Sequence, residues 1–190
     1  MSSKDINLLK AALEIEYVAV ASYEGAIALG MLSGETVETA RTFQAHHGHH
    51  IAKIKEAITN LGAEPPKRLP NEEYLKKMPK DKLSSEKNVI KFAIKLEREA
   101  AILMLQAVGE LEDRKLAMTA ASISGDEAMH WAVLRQAIGL FPVPVSFIPF
   151  SLEEKYEVEF GEEEIEEGKK AGKGEEIGEG EQMKGMEGEQ

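Results

Sequence analysis

Four stretches of this chain place an apolar residue at every third or fourth position, the spacing that gives an α-helix one buried face. The first runs from about Asp5 to Gly30 and aligns Leu9, Leu13, Val20, Tyr23 and Ile27; Ser33-Gly34 breaks it. The second, from about Glu35 to Leu61, aligns Phe43, Ile51, Ile54, Ile58 and Leu61, and Gly62 followed by Pro65 and Pro66 stops it. About twenty residues then carry Pro65, Pro66, Pro70 and Pro79, with room for a helical turn near Glu72 to Lys77. Ser84 or Ser85 can cap the third stretch, which aligns Ile90, Ile94, Ala101, Met104, Val108 and Leu111. A break near Glu112 to Lys115 leads to the fourth, with Ala120, Ile123, Leu134 and Ile138 aligned and Gly139 and Pro142 at its end.

The pattern predicts an all-α fold of two helical hairpins joined by one long crossover, because so long a link is uncommon between antiparallel neighbours. Beyond it, Leu140 to Phe160 is apolar and punctuated by prolines, suited to packing along the bundle or against a second subunit, which allows a homodimer. Residues 1–150 are thus expected to form one helical domain with an apolar segment after it. Residues 151–190, rich in Glu, Gly and Lys, are expected to form a disordered tail.

Charge follows this division. The net charge is −11, and residues 151–190 supply 15 acids against 5 lysines, leaving 19 acids against 18 bases in the rest. The helical part is electrically ordinary, and without a basic stripe no nucleic-acid partner is expected. No apolar run spans a bilayer, and Met1 to Lys10 lacks the apolar core of a signal peptide, so a cytoplasmic protein without a membrane partner is expected. The absence of cysteine excludes disulfides, thiolate metal sites and cysteine nucleophiles.

The apolar stripes are interrupted by titratable residues. Glu16 falls between Leu13 and Val20, His47 between Phe43 and Ile51, Glu97 between Ile94 and Ala101, and Glu127 with His130 between Ile123 and Leu134. A lone carboxylate in a dry core costs several kcal/mol or more, so such groups are paired or bind metals. Glu127-x-x-His130 and His47-x-x-His50 each place two donors one turn apart on one helix face. Shifting the second stretch by 80 positions carries His47 and His50 onto Glu127 and His130, while Glu16 and Glu97 lie 81 apart. The competing reading makes each glutamate a core-edge carboxylate satisfied by an arginine or a tyrosine, for which Arg98, Arg114 and Arg135 could serve. His46 and His49 are expected to face water, Tyr17 and Trp131 to pack in the core, and Glu24 to lie near the ligand face. Tyr23, two turns beyond Glu16, is either a packed core residue, a hydrogen-bond partner to a ligand or a redox-active group.

These motifs resemble the ferritin-like superfamily, near rubrerythrin and the small ferritin-like-domain proteins. The resemblance rests on Glu16-x-x-Ala19-x-x-x-Tyr23, Glu97-x-x-Ala100 with Met104 where a Tyr would repeat, and Glu127-x-x-His130, and covers about residues 5–140. It implies a ferritin-like four-helix bundle holding two iron ions, or manganese, with Glu16, His47, His50, Glu97, Glu127 and His130 as ligands. The implied chemistry is redox, of peroxidase or ferroxidase type: a small oxidant (peroxide or dioxygen) or ferrous ion as partner, and an external electron donor. One departure weakens the pattern. The second helix should offer Glu-x-x-His but reads Gln44-x-x-His47 and His47-x-x-His50, so Gln44 or His47 stands in for a carboxylate. The alternative function is a non-catalytic bundle serving as a metal-binding or protein-interaction module.

Overall fold

The computed structural model describes residues 2–153, among which there are helices and no strand. The bundle consists of α1 (Ser3–Ala28), α2 (Gly34–Asn60), α4 (Glu86–Glu110) and α5 (Arg114–Ala137); the crossover carries a short α3 (Asn71–Leu75) and a 3-10 turn at Lys80–Lys82. The expected tail lies outside the described residues from 154 onward.

Local chemistry sets the ends. Ser2, Ser85 and Asp113 cap α1, α4 and α5 by accepting from first-turn amides. Gly62 and Gly139 end α2 and α5 in the left-handed region (φ 77° and 82°) that side chains disfavour. The following amides reach back five residues, Ala63 N to Ile58 O and Leu140 N to Arg135 O.

Packing is densest within the hairpins α1–α2 and α4–α5. The hairpins meet with α1 antiparallel to α4: Asp5 accepts from the amides of Glu112 and Asp113 at one end, and Ser33 N donates to Glu86 at the other. The crossover must therefore travel the length of the bundle, and it does so along α1. Tyr17 donates to Pro66 O, Arg68 and Asn71 reach Glu24, and Leu75 rests on Gly25. Glu24 is thereby committed to the crossover, which corrects its expected place near the ligand face.

Two apolar clusters form the core. One gathers Leu9, Leu13, Tyr17, Ile54, Ile58, Met104 and Ile123; the other gathers Tyr23, Phe43, Ile90, Ile94, Trp131 and Leu134. Leu140 and Val145 pack on the second, and Gln106 donates to Phe150 O, so residues 140–150 run back along the bundle. Between the clusters, at mid-height, sit the buried charges.

Candidate metal centre

Each helix delivers its polar residue where the stripes predicted. Glu16, His47, Glu97, Glu127 and His130 are each 2% exposed or less, and His50 is half-buried. His47 lies at the middle. Its Nδ1 is 2.8 Å from Glu16 Oε2 and 3.4 Å from Glu127 Oε1, and its Nε2 is 3.3 Å from Glu97 Oε1. His50 Nδ1 stands 3.3 Å from Glu16 Oε2 and 3.2 Å from Glu127 Oε1. His130 Nδ1 stands 3.2 Å from Glu97 Oε2 and 3.4 Å from Glu127 Oε2.

These side chains form two overlapping groups. Glu16, His47, His50 and Glu127 can each turn one ligand atom to within 4.8 Å of the others, and so can His47, Glu97, Glu127 and His130. Glu16 and His50 belong to one group, Glu97 and His130 to the other, and His47 and Glu127 to both. The 80-residue shift is thus the symmetry of the site: it carries one shared residue onto the other and one outer histidine onto the other. Gln44 is half-buried and lines a surface hollow with Tyr17, Arg41 and Gly48.

Tyr23 donates to Glu97 Oε1 and stacks near the His47 ring, 5.6 Å between centroids. Of its three readings the hydrogen-bond partner is the one this geometry favours. Phe43 lies flat on His130 at 4.0 Å. Tyr17 and Trp131 pack in the two clusters as expected. Arg135 donates to Phe141 O and lies beside the Trp131 ring.

His49 is exposed, but His46 departs from expectation. Its Nδ1 lies 2.9 Å from His130 Nε2 and 3.2 Å from Asp126 Oδ2. It follows Phe43 by three and precedes His50 by four, so it shares their helix face. Asp126 was missed. Its Oδ2 is within 3.4 Å of ring nitrogens of His46, His50 and His130, with its side chain 21% exposed. The available signal was its place four residues before His130.

Burial and charge act against each other here. Burial disfavours the ionised form of Glu16 and Glu97, yet hydrogen bonds from His47 and His50 hold Glu16 low, and those from His130 and His47 hold Glu97 well below the carboxylate range. Glu127 has the weaker support, and burial pushes its carboxyl up to about 7. Burial also opposes charge on the imidazoles, but the carboxylates raise His50 and His130 to about 9 and His47 well above its ordinary value. Burial and then Glu97 keep the Tyr23 phenol protonated.

The residues fit a bound metal cation. Glu16 Oε1 and both oxygens of Glu127 are buried without a hydrogen-bond partner, although ring nitrogens lie close to Glu127. Buried carboxylate oxygens facing imidazoles off the hydrogen-bonding line are disposed to share a cation between them. Oxygen and imidazole donors suit iron and manganese. Asp126 and His46 add a third, more open group with His130 at the outer edge.

No curated protein matches the chain. Among solved structures, it is similar to the crystal structure of a conserved hypothetical protein, rv2844, from Mycobacterium tuberculosis. The TM-score is 0.64 at 17% identity, over 72% of this chain and 98% of that one. That likeness shows a shared fold. A family model described as a ferritin-like domain matches residues 4–140, from the first turn of α1 to just past α5 and across every residue of the buried centre. Helix order, crossover and buried carboxylate–imidazole cluster agree with that match, and the chain belongs to the ferritin-like domain family.

Proposed function

We propose that this chain is a di-iron redox protein, with manganese as the alternative metal, acting on peroxide, dioxygen or ferrous ion. The observation that carries the reading is the pair of four-residue groups sharing His47 and Glu127. Glu16 and His50 would hold one ion, Glu97 and His130 the other, and Glu127 and His47 would lie between them. A bound pair would supply the one-electron steps by which an oxidant is reduced or ferrous ion oxidised.

The chain's own residues do the rest. Glu127, poised near neutrality, gives up its proton when a cation compensates its charge. Tyr23 fixes the orientation of Glu97 through its O–H and keeps that proton at the wall of the centre. The two apolar clusters above and below exclude water. His47 in place of a carboxylate leaves three carboxylates rather than four, which suits divalent cations better than a fully oxidised pair. With no cysteine in the chain, a thiolate-bound electron-transfer centre would have to come from a separate donor protein.

The test is anaerobic loading with ferrous ion followed by air. Two ions per chain and a near-ultraviolet charge-transfer band on oxidation are expected. Loss of all binding, or no spectral change, refutes the reading. A second reading, a non-catalytic interaction module, draws on Phe147 and Phe150, which remain 79% and 68% exposed beside the bundle. It would prevail if the protein holds no metal and Glu97→Ala leaves stability unchanged or higher.

A further inference from the structure

A second space adjoins the centre. Between α1 and α4 lies a cavity of about 410 Å³, in the size range of small-ligand sites. Its wall is largely aliphatic: Leu75, Met78 and Leu83 close it from the crossover, and Val89, Leu96 and Leu103 line it from α4 together with the aromatic Phe92. Leu75 can close it because α1 offers Gly25 at the contact, where a β-carbon would meet the leucine at 2.9 Å.

Its proportions specify an occupant. On α1 the lining runs from Ile15 to Leu29 and on α4 from Val89 to Leu103, fourteen residue steps on each helix, a length of about 20 Å. A volume of 410 Å³ drawn out along two helices suits an elongated ligand rather than a rounded one. Besides Ser22, whose hydroxyl is turned back to Val18 O of its own helix, the polar lining falls in two places. Tyr23, His47 and Glu97 form a buried wall beside the middle of the cavity, and Lys80 and Glu99 stand at its open rim. Glu99 faces Lys95 at 3.7 Å, whereas Lys80, in the turn leading to α4, offers its ammonium to water. An anionic head inside the cavity would lose its hydration beside the buried carboxylate of Glu97; at the rim it keeps water and meets Lys80, with Glu99 facing Lys95.

We propose that this cavity binds a single unbranched aliphatic carboxylate, its carboxylate at Lys80 and its chain extended between α1 and α4 past Tyr23 and Glu97. The mid-chain methylenes would then lie against the wall of the metal centre. Binding requires no metal, so its failure and the failure of the redox reading are separately visible.

The full chain, both as purified and after metal removal, is titrated with the fluorescent fatty acid cis-parinaric acid and then with dodecanoate and dodecanol as competitors. Saturable binding of one molecule per chain is expected in both forms. Ala26→Phe and Ala93→Leu, which fill the cavity from α1 and α4, should weaken it about tenfold by removing room for buried methylenes. Iron stoichiometry and helical ellipticity should be retained; if one variant fails to fold, the other carries the test. Lys80→Glu should weaken dodecanoate about fivefold and leave dodecanol unchanged. The proposal is overturned by non-saturable binding, by binding that survives the filling variants, by equal effects of Lys80→Glu on acid and alcohol, or by a self-associated protein whose cavity excludes the probe.

Discussion

His47 and Glu127 stand eighty positions apart in the chain and 3.4 Å apart in the bundle, and they are the two residues common to both ligand groups. On this arrangement Glu127→Gln, which is close to isosteric, should abolish binding of both ions, whereas Glu16→Gln and Glu97→Gln should each remove one. Because burial already holds Glu127 near neutrality, Glu127→Gln should also leave the metal-free melting temperature unchanged or raise it. Metal analysis and thermal denaturation of the three variants check both halves.

On the proposed reading, His47 stands where a fourth carboxylate would be. His47→Glu should therefore strengthen binding of the oxidised pair and destabilise the metal-free protein, since it adds a fourth buried negative charge. Competitive chelation of ferric ion and melting in the absence of metal would show it.

The pH dependence has a definite sign. The folded metal-free protein holds a proton on His50 and His130 up to about 9, against an ordinary 6.5. Their contribution is complete below about 6.5 and disappears as pH rises through 9. Glu127 acts in the same sense between 4.5 and about 7, while Glu16 and Glu97, held low, contribute above 4.5 and lose that contribution as pH falls through their folded values. The melting temperature of the metal-free protein should thus decline from neutral to alkaline pH. Metal binding displaces these protons, so affinity should rise over the same interval, measurable by calorimetry in buffers of different ionisation enthalpy.

Tyr23→Phe removes a buried hydrogen bond to an ionised carboxylate and should cost about 1.5–3 kcal/mol of metal-free stability. Two ions should still bind. Chemical denaturation and metal stoichiometry check the two statements.

Asp126 stands partly exposed among His46, His50 and His130, and on the proposed reading it would meet an entering cation first. Asp126→Asn should slow the uptake of ferrous ion without changing the final stoichiometry, as followed by stopped-flow absorption.

Much of this was legible in the sequence because helical periodicity is a strong signal and charge inside it is conspicuous. Glu16, Glu97, Glu127 and His130 interrupt otherwise apolar stripes, and the crossover announces itself by four prolines. Features that depend on what faces a residue across the bundle were not legible. Glu24 lies near the ligand face by helical angle, yet Arg68 and Asn71 of the crossover claim it. His46 has the composition of a solvated residue, and only the approach of α5 gives it His130 and Asp126 as partners. The cavity between α1 and α4 is a gap left by the spacing of two helices, and no single helix encodes it.

The most direct measurement is anomalous diffraction at the iron edge from crystals of the iron-loaded protein. The account predicts two peaks, one between Glu16 and His50 and one between Glu97 and His130, with His47 and Glu127 adjoining both. No peak among these residues, or iron only at His46 and Asp126, would contradict it.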